Sequence, residues 1–101
     1  MPRNLDTNPL SPEETNALTI CGSVGFSWRQ VADIFDLDPA TVRRQFTNQQ
    51  GDIYKTYLQG RLQKELEIRQ AVLTSALNGS SPAQLQMLQF FAAADEENKN
   101  L

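Results

Sequence analysis

Hydrophobic and polar positions along this chain repeat with the period of an α-helix. In five segments, apolar residues recur three and four positions apart. No segment alternates apolar and polar residues as a half-buried strand does. The pattern predicts an all-α fold with five helices, over 12–22, 28–36, 39–48, 52–78 and 82–94.

Two of the predicted helices begin with a capping box. Ser11 precedes Pro12 and is followed three residues later by Glu14, and Ser27 stands in the same relation to Gln30. In each box the serine hydroxyl and the longer side chain satisfy backbone N–H groups that have no partner within the helix. Gly22 is expected to end the first helix, since glycine is the commonest residue after a helix.

The stretch SWRQVADIFDLDPATVRRQF is typical of a helix-turn-helix. Ala32 supplies the small residue where the two helices cross, and Asp36 takes a turn position at which aspartate tolerates a left-handed backbone. Asp38 is expected to cap the second helix. One position departs from the pattern, because Gln45 stands where an apolar residue is expected. An ordinary three-helix bundle without DNA binding is the alternative. The apolar positions of the motif are filled by Val31, Phe35, Leu37, Val42 and Phe46.

In a helix-turn-helix, the helix over 39–48 would enter the major groove of DNA. Arginine there can read guanine through two hydrogen bonds, or it can hold phosphates without reading sequence. Arg29, at the start of the preceding helix, is expected to approach the phosphate backbone. Solvated arginines without a ligand are the alternative. The candidate DNA-binding residues are Arg29, Gln30, Thr41, Arg43, Arg44 and Thr47.

The charge of the chain limits how strongly one copy can bind nucleic acid. Nine basic residues stand against twelve acidic ones, which gives a formal net charge of -3, and both ends of the chain are acidic. A single copy would neutralise about two to four phosphates, an affinity that salt weakens severely. Useful binding is therefore expected from several copies acting together.

The second half of the chain carries more apolar surface than two helices can bury. A helix over 52–78 is about 40 Å long and carries two apolar stripes, and the helix that follows is apolar on more than one side. We expect a helical hairpin that self-associates, because soluble monomers rarely expose large apolar patches. The alternative is that the N-terminal helices cover this surface. The expected interface residues are Tyr54, Leu58, Leu62, Leu66, Leu73, Leu77, Met87, Phe90 and Phe91.

These patterns predict a helix-turn-helix domain over residues 1–50, an oligomerisation hairpin over 51–94 and an acidic, mobile tail over 95–101. The absence of histidine excludes a Ser-His-Asp triad and a histidine metal site, and the single cysteine excludes an intrachain disulfide. No signal peptide or membrane-spanning run is visible. We therefore expect a soluble protein that is not an enzyme and uses no cofactor or metal.

The order of these features resembles the small terminase subunit of tailed bacteriophages. The resemblance covers roughly residues 12–92 and rests on a helix-turn-helix, then YLQGR, then SALNGSSPAQLQMLQFF. It implies a ring of identical subunits in the cytoplasm of a bacterial host, binding double-stranded viral DNA and regulating the large terminase subunit. It also implies that Thr41, Arg43 and Arg44 face the DNA.

Two other functions fit the same sequence. A transcriptional regulator would use the same reading helix and dimerise through the long helix, which demands a palindromic site. A scaffold module would agree with the net negative charge. It would bind DNA, if at all, without Arg43 and Arg44.

Overall fold

The structure, a computed structural model, describes residues 2–101, and over that range its regular secondary structure is entirely α-helical. This confirms the all-α prediction. None of these helices is long and apolar enough to cross a bilayer. The helices are α1 (Pro12–Val24), α2 (Trp28–Ile34), α3 (Pro39–Asn48), α4 (Asp52–Leu77) and α5 (Ser81–Asn98).

The chain forms two compact units, Met1–Lys64 and Glu65–Leu101. The division falls within α4, so this helix contributes its first half to one unit and its second half to the other. The sequence places a domain boundary earlier, after residue 50. That functional division stays a prediction.

Both predicted capping boxes are present and begin α1 and α2. The backbone N–H of Glu14 donates to Ser11 Oγ at 3.1 Å, and the N–H of Ser11 donates back to the Glu14 carboxylate at 3.1 Å. Ser27 and Gln30 make the same reciprocal pair at 3.2 and 2.9 Å. These caps fix where the first two helices begin.

The sequence predicts that α1 ends at Gly22, and this prediction is wrong. The helix continues to Val24 and ends at Gly25, whose φ of 80° is left-handed. Gly22 instead lies against α4, where a Cβ on it would collide with the backbone carbonyl of Tyr57. Gly60 of α4 faces α1 in the same way, since its Cβ would collide with the carbonyl of Thr19. Two glycines therefore allow the backbones of α1 and α4 to touch.

The core of the first unit forms where α1, α2, α3 and the start of α4 meet. Leu18, Val31 and Val42 are its largest fully buried side chains. Tyr57 closes one side of the core, and its hydroxyl donates to the carbonyl of Phe26. The buried cluster comprises Leu18, Cys21, Val31, Ala32, Phe35, Leu37, Val42, Ile53 and Tyr57.

Gln45, the residue that departs from the helix-turn-helix pattern, caps α4. Its side-chain oxygen accepts the backbone N–H of Tyr54 at 3.2 Å. The apolar contact expected from position 45 is made by Phe46, whose ring packs edge-on against Tyr54 and Tyr57 at centroid distances of 5.3 and 4.9 Å. Gly51, which precedes α4, has no side chain to act as a cap. Gln45 supplies the cap in its place and so joins α3 to α4.

The N-terminal segment braces the same unit through Arg3. Its guanidinium donates two hydrogen bonds to the Glu14 carboxylate, at 2.7 and 2.8 Å. Its backbone N–H donates to the carbonyl of Asp36 at 2.7 Å. Mainly because of the hydrogen bonds from Arg3, and then that from the Ser11 N–H, the pKa of Glu14 falls from 4.5 to about 2.

In the second unit, α5 begins one residue earlier than expected and ends later. Ser80 caps it by accepting the N–H of Ala83 at 3.4 Å. The helix runs on to Asn98, so the acidic residues that begin the expected tail over 95–101 are helical.

We predict that Gly60→Ala destabilises the protein although alanine favours helices by about 1 kcal/mol. The added methyl meets a backbone carbonyl that cannot rotate away, so we expect a net loss towards the upper end of the about 1–3 kcal/mol that overpacking costs. Urea unfolding followed by circular dichroism measures it. Gln59→Ala, at an exposed neighbouring position, should change stability by less than about 0.5 kcal/mol. Equal stability of Gly60→Ala and the wild type would contradict the close helix contact.

We predict that the ion pair of Arg3 with Glu14 makes stability depend on pH in the acid range. Because folding lowers the pKa of Glu14 from 4.5 to about 2, its contribution is complete above about pH 4.5 and is lost as the pH falls towards 2. Glu14→Gln should therefore reduce the steepness of acid destabilisation, measured by thermal unfolding between pH 2 and pH 6. Glu13→Gln removes the same charge from the same turn and should leave the wild-type profile. Identical profiles for Glu14→Gln and the wild type would contradict the assignment.

Candidate nucleic-acid interface and hairpin surface

The turn between α2 and α3 holds the two helices in a fixed corner. Asp36 has a left-handed backbone with φ of 54°, as the sequence predicts. The N–H of Leu37 then donates to the carbonyl of Ala32 at 2.8 Å, and Leu37 enters the core. The backbone N–H of Arg3 also donates to the carbonyl of Asp36, so the N-terminal segment helps to hold the turn in place.

The outer face of α3 presents three of the six predicted DNA-binding residues to solvent. Arg43, Arg44 and Thr47 are exposed. Thr41 is half-buried, and its hydroxyl donates to the Asp38 carboxylate at 2.9 Å. Asp38 was expected to cap α3 with its side chain. It holds the N-cap position but makes no capping hydrogen bond, because its carboxylate is engaged by Thr41.

Trp28, the first residue of α2, links the arginines of two helices. The guanidinium carbon of Arg43 lies 5.8 Å from the centre of the indole ring, and that of Arg29 lies 5.7 Å from it. Both distances are within the range of a cation–π contact. No sequence pattern points to Trp28, because it lies fifteen positions from Arg43 and only the corner of α2 and α3 brings them together.

The other predicted contact on α2 is committed to the fold. The side-chain oxygen of Gln30 accepts the N–H of Ser27 in the capping box, so only its amide nitrogen remains to meet a ligand. Arg29 is exposed and lies beside Trp28. Arg29 therefore lies beside the same ring as Arg43, whereas Gln30 serves to cap α2.

Carboxylates occur on the same corner. Asp33, Asp36 and Asp38 are exposed. They offset the charge of Arg29, Arg43 and Arg44. A phosphate backbone would meet a surface of nearly balanced charge, so the attraction available to one copy is small.

Searches of protein-family models, curated proteins and solved structures find no match to this chain.

In the second unit, α4 and α5 touch along a narrow seam. Gln84 donates from its side chain to the carbonyl of Ala76 at 3.0 Å, and Arg69 lies over the ring of Phe90 at 4.2 Å. Ala76 and Ala83 are buried in this seam. The contacts step forward along α4 as they step backward along α5, as in two antiparallel helices. Val72 and Met87, which lie between the two contacts, are half-buried.

The two sides of this hairpin differ in how many large apolar side chains they expose. With 3.6 residues per turn counted from the seam, Leu66, Leu73 and Leu77 of α4 lie on the same side of the hairpin as Leu88 and Phe91 of α5. All five are 40–79% exposed. Counted in the same way, the opposite side carries Ser75, Gln86 and Gln89 together with the exposed Ile68, and the small apolar residues Ala71 and Pro82 also lie there. Leu85 is exposed on the side of α5 that faces away from the seam. Most of the large exposed apolar side chains thus lie on the first side.

The predicted interface residues divide between the two units. Tyr54 and Leu58 are half-buried in the first unit, where Tyr54 packs on Phe46. Leu62 is exposed in that unit. Phe90 is half-buried beneath Arg69. The exposed side of the hairpin holds Leu66, Leu73, Leu77 and Phe91 from the predicted set and adds Leu88, which the sequence analysis did not include.

We predict that Leu66→Glu weakens self-association by at least about tenfold, because a buried carboxylate at the apolar face would lose its hydration. Ser75→Glu introduces the same side chain on the opposite side of the same helix and is the matched control. Sedimentation velocity over a concentration series should show smaller species for Leu66→Glu and wild-type species for Ser75→Glu. Equal behaviour of the two variants would contradict a one-sided interface.

Proposed function

We propose that this chain is a non-catalytic, DNA-binding oligomer that acts as the small terminase subunit of a tailed bacteriophage. In this proposal α2 and α3 form a helix-turn-helix, and α3 enters the major groove of viral DNA. The hairpin of α4 and α5 joins identical subunits into a ring. The assembled ring presents packaging DNA to the large terminase subunit and regulates that motor.

The observation that carries the proposal is the corner of α2 and α3. A reading helix must be held rigidly by its neighbour while its outer face stays free. Val42 is fully buried against the core, whereas Arg43 and Arg44, the next two residues, are exposed. The left-handed turn at Asp36 and its hydrogen bonds to neighbouring segments supply the rigidity.

The hairpin supports the oligomeric part of the proposal. Its apolar side needs a cover, and a second copy of the same hairpin offers an apolar surface of the same kind. Association also overcomes the weak attraction of one copy for DNA. Subunits that hold their reading helices together raise the effective concentration of each contact without any new residue.

The order of the elements fits a small terminase and a transcriptional regulator alike. In both proteins a helix-turn-helix precedes a helical oligomerisation element. A regulator with two-fold symmetry would protect a palindromic site, whereas a ring of more than two subunits has no such requirement. The symmetry of the bound DNA and the number of subunits therefore distinguish the two functions.

We predict that the wild-type chain binds duplex DNA and that Arg43→Ala with Arg44→Ala weakens this binding strongly. Fluorescence anisotropy with labelled duplexes at several salt concentrations measures it. Each lost phosphate contact should reduce the salt dependence by about one unit of slope, whereas loss of a base contact should cost about 1–3 kcal/mol and relax specificity at one position.

Lys99→Ala is the control for this experiment. It removes a positive charge from the end of α5, where Lys99 pairs with Glu96 at 3.1 Å, and should leave DNA affinity unchanged. Unaltered binding by the double arginine variant would overturn the proposal and favour a scaffold. Protection of a palindrome by a dimer would favour the regulator.

A further inference from the structure

We propose that Trp28 is a positioning residue that holds the guanidinium of Arg43 ready for DNA. The inference rests on the proposed function and adds to it a residue of α2. A flexible arginine that must be ordered on binding loses side-chain entropy, and a contact that orders it beforehand reduces that loss. The indole ring of Trp28 supplies such a contact at 5.8 Å from the centre of the Arg43 guanidinium.

The ring itself is held in place by the fold. Trp28 is half-buried and packs against the hydrophobic core of the first unit. Its backbone begins α2, directly after the capping box of Ser27 with Gln30. Core packing and the cap thus fix the platform, while Arg43 on α3 stays exposed. A fixed aromatic face beside a mobile cation favours the conformations in which the cation lies over the ring.

Arg29 strengthens the argument because it approaches the same ring from α2, at 5.7 Å. The indole ring thus contacts one arginine from α2 and one from α3. It therefore links the start of α2 to the exposed face of α3. Arg44, the neighbour of Arg43, has no such contact with Trp28. The two adjacent arginines should therefore differ: Arg43 is preorganised, and Arg44 is ordered only when it meets DNA.

The stack can be tested first in the free protein, because Trp28 is the only tryptophan in the sequence. Arg43→Ala should shift the tryptophan emission or its quenching by iodide, and the matched variant Arg44→Ala should not. A change of equal size in both variants, or in neither, would overturn the contact in solution. This result does not depend on DNA binding.

The role in binding is tested by a double-mutant cycle on the full chain with a labelled duplex. Trp28→Leu keeps apolar packing but removes the ring, and it should weaken binding by about 2- to 5-fold, the size of an exposed cation–π contact. The DNA affinity of Trp28→Leu should depend on salt as that of the wild type does, because no charge is lost. Arg43→Ala should make the affinity less dependent on salt. Trp28→Phe retains an aromatic face and should recover part of the affinity.

The decisive comparison is Trp28→Leu in the background of Arg43→Ala. If Trp28 acts through Arg43, the second substitution costs nothing further. A full, additive loss would overturn the proposal, because Trp28 would then act independently of Arg43. Circular dichroism confirms that each variant is folded before it is compared. A folded wild-type protein without DNA affinity would instead overturn the proposed function, so the two failures are distinguishable.

Discussion

Two antiparallel helices can bury only the residues along the seam where they touch. In this hairpin Ala76 and Ala83 are buried in the seam, and Arg69 lies over Phe90. Leucines lie beside the seam, and Leu66, Leu77 and Leu88 are more than half exposed. Such a surface is stable in water when something apolar covers it. The proposed assembly follows from this constraint, since identical hairpins can cover one another.

The same constraint explains how a chain with a net charge of -3 could act on DNA. The outer face of α3 offers few positive charges, and carboxylates on the same corner offset them. A weak contact between α3 and DNA becomes useful when associated subunits each make the same contact. A preorganised Arg43 strengthens the contact that each subunit makes. In the proposed function, therefore, the hairpin and the reading helix depend on each other.

Much of the helical structure could be predicted from local sequence signals. The capping boxes at Ser11 and Ser27 and the left-handed turn at Asp36 depend on residues close together in the chain, and all three are confirmed. Contacts between distant residues could not be predicted in this way. Gly22 looked like a helix end because its partner, the backbone of Tyr57, is unknown until α1 and α4 are placed together.

In the candidate site, too, local features could be predicted from the sequence and contacts between helices could not. The exposure of Arg43 and Arg44 follows from helical periodicity around Val42 and agrees with the sequence. The stack of Arg43 on Trp28 and the capping of α4 by Gln45 each join two helices, so no local pattern encodes them. The concentration of apolar residues on one side of the hairpin required the register of α4 against α5, which the sequence alone does not fix.

The mass of the wild-type protein in solution tests the central claim most directly. Size-exclusion chromatography with light scattering at micromolar concentration should give a single species with more than two chains, as the proposed ring requires. A homogeneous monomer under these conditions would contradict the account, because the exposed leucines and Phe91 would then be tolerated by a single chain in water.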